Sequence, residues 1–353
     1  MCLGPTRLPR GFFQDPEYIM TLHPASLSFR ILARTAIAAG LFAAALAATP
    51  SAHAAYPERP IQVIISFPPA GATDVMARAV SQQLAAELGQ SVVVENRPGA
   101  GGMIGITAAA RAPADGYTLY LAAVTNQAIA EALYTNKQAT LEGDFVPVAG
   151  VGYAPHALVV PATSPATDVK SLIAMLKASP GKYNFASQGT GTLSHLESEL
   201  FVSKAGVQAE HIPYKGSSQA LPELANGTSA LMFDSITGSL PLVQGGKLKM
   251  LAVASSKRVS SLPDVPTVTE AGLPGFEADN LFGFVAPKGT PPAAIATLQK
   301  ALEKVLGSRA LIEKVAAQGS DLVYIGPDKF KADVANEIAT WGGVVKNAGI
   351  TPQ

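Results

Sequence analysis

The sequence is poor in charge and nearly free of cysteine. Only 15% of its 353 residues are charged, and Lys plus Arg balance Asp plus Glu at 26 each, whereas a soluble domain averages about a quarter charged residues. Clusters of Lys or Arg are absent, so no basic surface is available to neutralise phosphates, which excludes nucleic acid as a partner. The 32 glycines and 27 prolines stay below the content of a disordered chain, and the chain is expected to fold.

An uncharged apolar run near the N-terminus is too short to span a bilayer. Residues 36–48 (AIAAGLFAAALAA) follow Arg30 and Arg34 and precede Ala52-His53-Ala54. This order is typical of a cleavable secretory signal peptide, whereas a transmembrane helix needs about 20 apolar residues. We predict a signal peptide over residues 1–54 and export to the periplasm. Residues 1–19 show no helical or strand period, and a start at Met20 would give a signal peptide of ordinary length.

Cleavage after Ala54 would change the charge and remove the single cysteine, Cys2. Four arginines and two acidic residues would leave as well, so 22 basic and 24 acidic residues would remain, for a net charge near −2. A chain without cysteine has no disulfides, thiolate metal ligands or cysteine nucleophiles. No cysteine follows the apolar run at the cleavage point to carry a lipid. We therefore expect a soluble periplasmic protein, and a monomer.

Short apolar β-branched runs alternate with helical patterns along the rest of the chain, which predicts an α/β fold with mostly parallel sheets. Helices are predicted at residues 73–88, 97–110, 127–133, 171–178, 192–205, 217–226, 292–306, 309–318 and 327–347. Two extended apolar segments, residues 146–160 and 281–287, have the character of strands that cross between domains. The prediction is two discontinuous domains, residues 55–155 plus 283–353 and residues 156–282, hinged around a cleft that can close on a small ligand.

Two strand–turn–helix units carry small residues at the turn. One covers residues 66–74 (SFPPAGATD) and the other residues 187–195 (SQGTGTLSH). Free backbone N–H groups at a helix N-terminus attract anions, and glycine lets an anion approach the main chain. The alternative is that both are ordinary tight turns, with Thr73 or Asp74 and Thr192 as N-caps. As carboxylate-binding turns, they contribute these candidate ligand residues: Phe67, Pro69, Ala70, Gly71, Thr73, Asp74, Ser187, Gly189, Thr190, Gly191 and Thr192.

Further loops at strand ends are expected to face the same cleft, since ligands of open α/β sheets sit at the carboxyl ends of strands. Lys215 is a counter-charge for an anion or a solvated surface residue. Asp234 accepts a hydrogen bond from a ligand amine or hydroxyl, or satisfies neighbouring backbone N–H groups. His195 early in a helix is more often packed than in contact with a ligand, but it is kept as a candidate. The candidates from these segments are Thr125, Asn126, His195, Tyr214, Lys215, Gly216, Asp234 and Ser235.

Motifs for cofactors and catalysis are missing. Gly189-x-Gly191 lacks the third glycine and the acidic residue of a dinucleotide fingerprint, and there is no P-loop. The histidines after residue 54, at positions 156, 195 and 211, include no pair at i, i+4 spacing, so neither a zinc site nor another metal site is expected. A G-x-S-x-G elbow is also lacking, although a hydrolase triad assembled from distant residues stays open as an alternative. We expect no catalytic residues, no cofactor and no enzymatic activity.

An ordered set of short segments resembles one protein family. Together with residues 67–74, these segments are residues 56–61 (YPERPI), 94–102 (VENRPGAGG), 115–119 (DGYTL), 213–216 (PYKG) and 262–267 (LPDVPT). With them the chain resembles the substrate-binding proteins of tripartite tricarboxylate transporters, the Bug family, over essentially everything after the signal peptide. The resemblance implies a type II periplasmic-binding-protein fold, with two domains closing around the ligand like a Venus flytrap.

The resemblance also implies a function. Members bind small carboxylates through the main chain of the two turns and ordered waters, and deliver them to a membrane permease of one large and one small subunit. The ligand expected here is a di- or tricarboxylate, an aromatic acid or an acidic amino acid. One departure concerns Ala70-Gly71, where the family commonly has two glycines. A sensor that presents the carboxylate to a signalling partner is the alternative, and an exported hydrolase is a third.

Overall fold

The structure is a computed structural model that describes residues 56–259, 261–276 and 278–347. The predicted signal peptide lies outside these residues. Within the described ranges, no helix combines the length and the apolar character needed to cross a membrane.

Eleven strands and eleven α-helices make up the described chain. The strands are β1 (Ile61–Ile65), β2 (Val92–Asn96), β3 (Thr118–Ala123), β4 (Phe145–Tyr153), β5 (His156–Pro161), β6 (Asn184–Ser187), β7 (Glu210–Pro213), β8 (Leu231–Ser235), β9 (Leu248–Val253), β10 (Leu281–Pro287) and β11 (Asp321–Ile325). The helices are α1 (Ala72–Leu88), α2 (Met103–Ala110), α3 (Val124–Leu133), α4 (Leu141–Asp144), α5 (Val169–Ala178), α6 (Leu193–Ala205), α7 (Ser217–Ala225), α8 (Ile236–Gln244), α9 (Pro292–Leu306), α10 (Arg309–Ala316) and α11 (Pro327–Asn347).

The strands form two mixed sheets. The first has the order β11-β4-β10-β3-β1-β2 and the second β7-β6-β8-β5-β9. Pairings between strands that are linked by crossover helices are parallel: β1 with β2 and β3, and β6 with β7 and β8. The other five pairings of the described residues are antiparallel. The α/β fold is confirmed, but the prediction of mostly parallel sheets is wrong, because strands entering from the crossing segments pair antiparallel.

Both faces of each sheet are buried, which explains the continuous apolar runs in the strands. Alternate side chains of β1 point to opposite faces. Val63 packs with Met76 of α1 on one face, and Ile64 packs with Ile106 of α2 on the other. The second sheet repeats this arrangement, with Leu158 of β5 in one hydrophobic cluster and its neighbour Val159 in another. Each sheet therefore has its own core, and the ends of both sheets are left to form a site.

The chain passes between the sheets at two adjacent places. β4 ends at Tyr153 in the first sheet and β5 begins at His156 in the second, within the segment predicted to cross. The return runs beside it, since the Ala154 amide donates to Asn280 O and the Ala278 amide to Ala254 O. The predicted second crossing, residues 281–287, lies wholly in the first sheet as β10, so the return occurs just ahead of it.

The structure differs from the helical predictions mainly in three places, one of which is the short helix α4, where the sequence predicts no helix. Residues 97–99 are not helical, and a short 3-10 turn (Ala100–Gly102) precedes α2. Helix α8 was not predicted, because it contains Gly238 and Pro241, residues that normally indicate a break. It forms because the Ser235 side chain accepts a hydrogen bond from the Gly238 amide and so caps the helix directly at the end of β8.

Candidate ligand-binding site

Two adjoining cavities lie where the ends of the two sheets meet. The inner cavity, of about 20 Å³, has room for roughly one water-sized group. The outer cleft has a volume of about 600 Å³. Phe67, Pro68 and Gln188 line both, so the two cavities share a wall. The inner cavity is lined by residues that follow or precede strands of the first sheet, such as Phe67 and Asn280, and by residues of the second sheet, such as His156 and Ser235.

The turn between β1 and α1 presents a helix start to the inner cavity. Gly71 is the N-cap residue of α1 and no side chain caps this helix, so its first N–H groups are left for another partner. Ala72 and Thr73, the first two helical residues, line the cavity. Ala70 has a φ of 70°, in the left-handed region that a residue with a β-carbon occupies at a cost of about 1–2 kcal/mol.

Asp74 stabilises this turn from behind. Its carboxylate accepts hydrogen bonds from the Ala70 amide at 3.1 Å, from Arg78 Nε at 2.9 Å and from Asn96 Nδ2 at 2.9 Å. Asn96 Nδ2 also donates to Phe67 O at 2.9 Å. Burial raises the pKa of Asp74, but these hydrogen bonds outweigh it and hold the pKa below the usual value. Asp74 is therefore an ionised, fully engaged carboxylate whose contacts are within the protein.

A second helix start faces the first from the other sheet. Gly216, with a φ of 124°, is the N-cap residue of α7, and no side chain caps α7 either. A β-carbon on Gly71 would lie 4.0 Å from Ser217 Oγ, and one on Gly216 would lie 2.8 Å from Pro68 Cγ. The two uncapped N-termini thus approach each other across the inner cavity, where their partial positive charges favour an anion.

Several backbone N–H groups in and next to the turn over residues 187–192 donate to acceptors of the protein itself, which leaves them unavailable to a ligand. The Thr192 side chain caps α6 by accepting from the His195 amide, and Asn126 Oδ1 accepts from the Leu193 amide at 2.8 Å. The Gly189 amide donates to Ser187 Oγ and the Gly191 amide to His195 Nδ1. The alternative reading of Thr192 as an ordinary N-cap is confirmed. This turn lines the outer cleft, whereas the start of α7 lies opposite α1 at the inner cavity.

Beneath this turn, three aromatic rings form a stack. His195 and His211 lie 3.9 Å apart between ring centroids, and Phe185 stacks on His211 at 5.0 Å. His211 Nε2 lies 2.6 Å from Ser187 Oγ. Burial, together with the nearby His195, lowers the pKa of His211 to about 4. His195 therefore packs in this stack and Ser187 contacts it through His211, and neither residue lines a cavity.

Asp234 holds two side chains of the inner cavity in place. It is fully buried, and its Oδ1 accepts hydrogen bonds from Gln188 Nε2 at 2.7 Å and from Ser217 Oγ at 2.6 Å. Burial raises the pKa of Asp234 above its ordinary value, against the opposing effect of His156 and these hydrogen bonds. Asp234 thus positions Gln188 and Ser217, which line the cavity, but does not itself line it.

The predicted site residues fall into three groups. Those lining the inner cavity are Phe67, Pro69, Gly71, Thr73, Asn126, Gly216 and Ser235. Those lining the outer cleft are Phe67, Gly189, Thr190, Thr192, Tyr214 and Lys215. Those that line neither are Ala70, Asp74, Thr125, Ser187, Gly191, His195 and Asp234. Thr125 instead donates to Glu337 Oε2 at 2.7 Å and accepts from the Leu281 amide at 3.1 Å, next to the crossing.

The structure adds inner-cavity residues that were not among the candidates: Pro68, Ala72, His156, Gln188, Ser217, Ser218 and Asn280. Most of them are neighbours of predicted residues. His156 and Asn280 are not neighbours of predicted residues, because they flank the two crossings. A polar residue next to a crossing segment is the one feature of the sequence that indicates a site there. In the described part of the chain, no group of three or more His, Cys, Asp or Glu side chains is arranged to hold a metal ion.

Comparison with known proteins gives consistent matches. The model of the tripartite tricarboxylate transporter family receptor matches residues 76–350. Protein BugT of Bordetella pertussis is 41% identical over 312 residues, which cover 88% of this chain and 96% of BugT. Among solved structures, R. palustris Rpa4515 with adipate has a TM-score of 0.81 at 33% identity and covers 85% of this chain and 100% of that one.

A second solved relative is MatC from Rhodopseudomonas palustris with bound malate. Its TM-score is 0.77 at 31% identity, covering 82% of this chain and 100% of that chain. The match to the family model includes strands of both sheets. The chain therefore belongs to the receptor family of the tripartite tricarboxylate transporters, with the periplasmic-binding-protein fold, and it is a solute-binding receptor rather than an enzyme.

Proposed function

We propose that this receptor captures a small organic carboxylate between the starts of α1 and α7. The observation that carries the proposal is that both helices begin at a glycine without a side-chain cap and face each other across the inner cavity. Backbone N–H groups at helix N-termini bind carboxylates without any charged side chain. This is how a chain with balanced charge holds an anion.

The rest of the ligand would occupy the outer cleft. Its volume of about 600 Å³ is in the range of sites for small molecules. Lys215 lines this cleft and is available to a second carboxylate at the far end of the ligand. The relatives solved with adipate and malate support a dicarboxylate as the first class to test.

Closure of two bodies around the ligand is the second part of the proposal. The bodies are those predicted from the sequence, residues 55–155 plus 283–353 and residues 156–282, except that the second boundary is moved to just ahead of β10, which begins at Leu281. In the present arrangement Asn126 Oδ1 accepts from the Leu193 amide at 2.8 Å, and Thr237 Oγ1 lies 2.8 Å from Ser320 Oγ. Both contacts join residues of different bodies, so they would open when the cleft opens and would stabilise the closed state.

The third part of the proposal concerns transfer of the bound carboxylate to the membrane, and membership of the receptor family supports it. We propose that the chain is exported by its N-terminal signal peptide, acts as a monomer in the periplasm, and hands the carboxylate to a membrane permease of one large and one small subunit. Deletion of that permease would then abolish growth on the ligand even when the receptor is present. If the chain were a sensor, growth would persist and a signalling response would be lost instead.

A thermal-shift screen over mono-, di- and tricarboxylates tests the binding proposal. A ligand at 100 times its Kd adds about 2.7 kcal/mol to the stability of the folded state, which is a clear rise in melting temperature. The matched control is the methyl ester or amide of each acid, which keeps the carbon chain and removes the negative charge. We expect the acids to stabilise the protein and their esters to have no effect. A panel in which no carboxylate raises the melting temperature would contradict the proposal.

A further inference from the structure

A buried histidine–glutamate pair borders the inner cavity. His156, the first residue of β5, places its Nδ1 2.6 Å from Oε2 of Glu197 in α6. Both residues are 1% exposed. The other ring nitrogen, His156 Nε2, is buried and has no hydrogen-bond partner within the described residues, although leaving such a group unpaired costs about 1–3 kcal/mol.

The position of the ring shows where that partner would come from. His156 is among the residues that line the inner cavity, together with the starts of α1 and α7. Because Nδ1 of the ring is engaged by Glu197, Nε2 on the other side of the ring is the atom of this cavity-lining side chain that lacks a partner among the described residues. A histidine whose Nε2 has no partner in the described part of the chain and two uncapped helix starts therefore line one small cavity.

We propose that His156 Nε2–H donates a hydrogen bond to the carboxylate of the ligand, with Glu197 orienting the ring from behind. The arrangement is a relay in which one carboxylate of the protein and one of the ligand sit on opposite nitrogens of the same imidazole. This inference rests on the proposed function. It adds a specific side chain that contacts the ligand carboxylate, and it makes ligand affinity depend on pH.

The proton count of the pair decides whether Nε2 can donate. With two protons on the pair, one lies between Nδ1 and Oε2 and the other is on Nε2. This holds whether the pair is imidazolium with carboxylate or imidazole with carboxylic acid. Loss of one proton leaves Nδ1–H facing the Glu197 carboxylate and a bare lone pair on Nε2, which repels a ligand carboxylate. Only the doubly protonated pair therefore binds the anion.

The surrounding charges favour the protonated pair. Burial lowers the pKa of His156, but the Glu197 carboxylate, with a smaller contribution from Asp234 on β8, raises it above the usual value of 6.5. Burial raises the pKa of Glu197, and Asp234 and Asp279, just ahead of β10, act in the same direction. The pair therefore keeps its second proton to a higher pH than a free histidine does and loses it at a pH above 6.5. Carboxylic acids are already ionised in that range.

Titration calorimetry with malate and adipate tests the relay. We expect Kd to rise as the pH increases above 6.5, approaching a tenfold rise per pH unit once the pair is mostly deprotonated, with up to one proton taken up per ligand at the alkaline end. Proton uptake is read from the binding enthalpy in two carboxylate-free buffers of different ionisation enthalpy. A Kd that is flat over this range, with no proton uptake, would overturn the relay.

Variants separate the roles of the two residues. Glu197→Gln keeps the shape and removes the titrating carboxyl, so the pH dependence of Kd should vanish. Glu199→Gln, which removes a half-buried carboxylate two residues further along α6 that faces His195 and not His156, should retain it. His156→Gln should weaken binding by about 10-fold or more at pH 6.5, the value of a hydrogen bond to a charged group. Wild-type affinity in a folded His156→Gln would also overturn the proposal.

A spectroscopic measurement covers the case in which His156→Gln fails to fold. In wild-type protein labelled with ¹⁵N in histidine, the Nε2 resonance of His156 should report a protonated nitrogen and shift on addition of malate or adipate. An unchanged Nε2 resonance at saturating ligand would exclude the contact. If neither acid binds at any pH, both this inference and the proposed function fail. If both bind without involving His156, the inference alone fails.

Discussion

Gly216 and Pro68 approach so closely across the inner cavity that a β-carbon on Gly216 would lie 2.8 Å from Pro68 Cγ. Pro68 belongs to the turn before α1 and Gly216 is the N-cap residue of α7. The two helix starts can therefore face each other at this distance only because residue 216 has no side chain.

Gly216→Ala is expected to weaken carboxylate binding by about tenfold or more, since the added methyl group separates the two helix starts by displacing Pro68. Gly227→Ala is the matched control, because Gly227 has a φ of 82° and open space around it. Gly227→Ala should lose about 1–2 kcal/mol of stability from left-handed strain, and Gly216→Ala about 1–3 kcal/mol, because its φ of 124° and ψ of 174° lie in a region that essentially only glycine adopts. Calorimetry with malate or adipate distinguishes the two variants. Equal affinities would refute the claim that binding requires residue 216 to lack a side chain.

Asp234→Ala should reduce ligand affinity although Asp234 does not line the cavity. The substitution leaves Gln188 and Ser217 without their shared acceptor, so both side chains lose their fixed positions. We expect about a tenfold loss in affinity and about 1–3 kcal/mol in stability. Asp264→Ala, at an exposed position, should change neither. Unfolding in urea and calorimetry give the two quantities, and unchanged affinity in Asp234→Ala would remove the positioning role.

Ala70→Gly tests the departure from the two glycines that the family commonly has. Ala70 occupies a φ of 70°, which costs about 1–2 kcal/mol with a β-carbon. Glycine removes that cost, but it also makes the unfolded chain more flexible, which lowers stability by about 0.4–1 kcal/mol. We therefore expect unchanged or slightly higher stability in urea. Ala296→Gly, at an exposed position within α9, should lose up to about 1 kcal/mol. A similar loss in Ala70→Gly would contradict the strain argument.

His211 should make the folded state sensitive to acid. Its pKa is lowered from 6.5 to about 4 by burial and by His195, so the unfolded chain binds a proton at a higher pH than the folded one. The contribution of His211 is then fully present above pH 6.5 and is lost as the pH falls from 6.5 towards 4. In His211→Gln the fall in stability over this window should be smaller. Parallel stability curves for wild type and variant would show that His211 does not titrate as described.

The sequence predicted best what depends on local pattern. The apolar run of β1 followed by a small-residue turn gave both the strand and the uncapped start of α1, because β-branched residues and glycine specify these structures locally. The two crossings were found as extended apolar segments. Only the second was misplaced, since Leu281 and its neighbours have the same composition whether they cross between sheets or lie inside one.

The rest of the site depends on contacts between distant residues. The sequence of the turn over residues 187–192 is typical of an anion site. In the structure, however, Asn126 of α3 accepts a hydrogen bond from the Leu193 amide at the start of α6. The opposing helix start is instead α7. His156 and Glu197 are 41 positions apart, and only the folding of β5 beside α6 brings them together. No spacing rule for a single sequence captures such pairs.

A crystal structure with malate or adipate bound tests the central claim most directly. We expect one ligand carboxylate to lie between the starts of α1 and α7, with its oxygens within about 3.2 Å of backbone nitrogens at both helix starts. A ligand carboxylate held only by the turn over residues 187–192, or by side chains of the outer cleft away from both helix starts, would contradict the account.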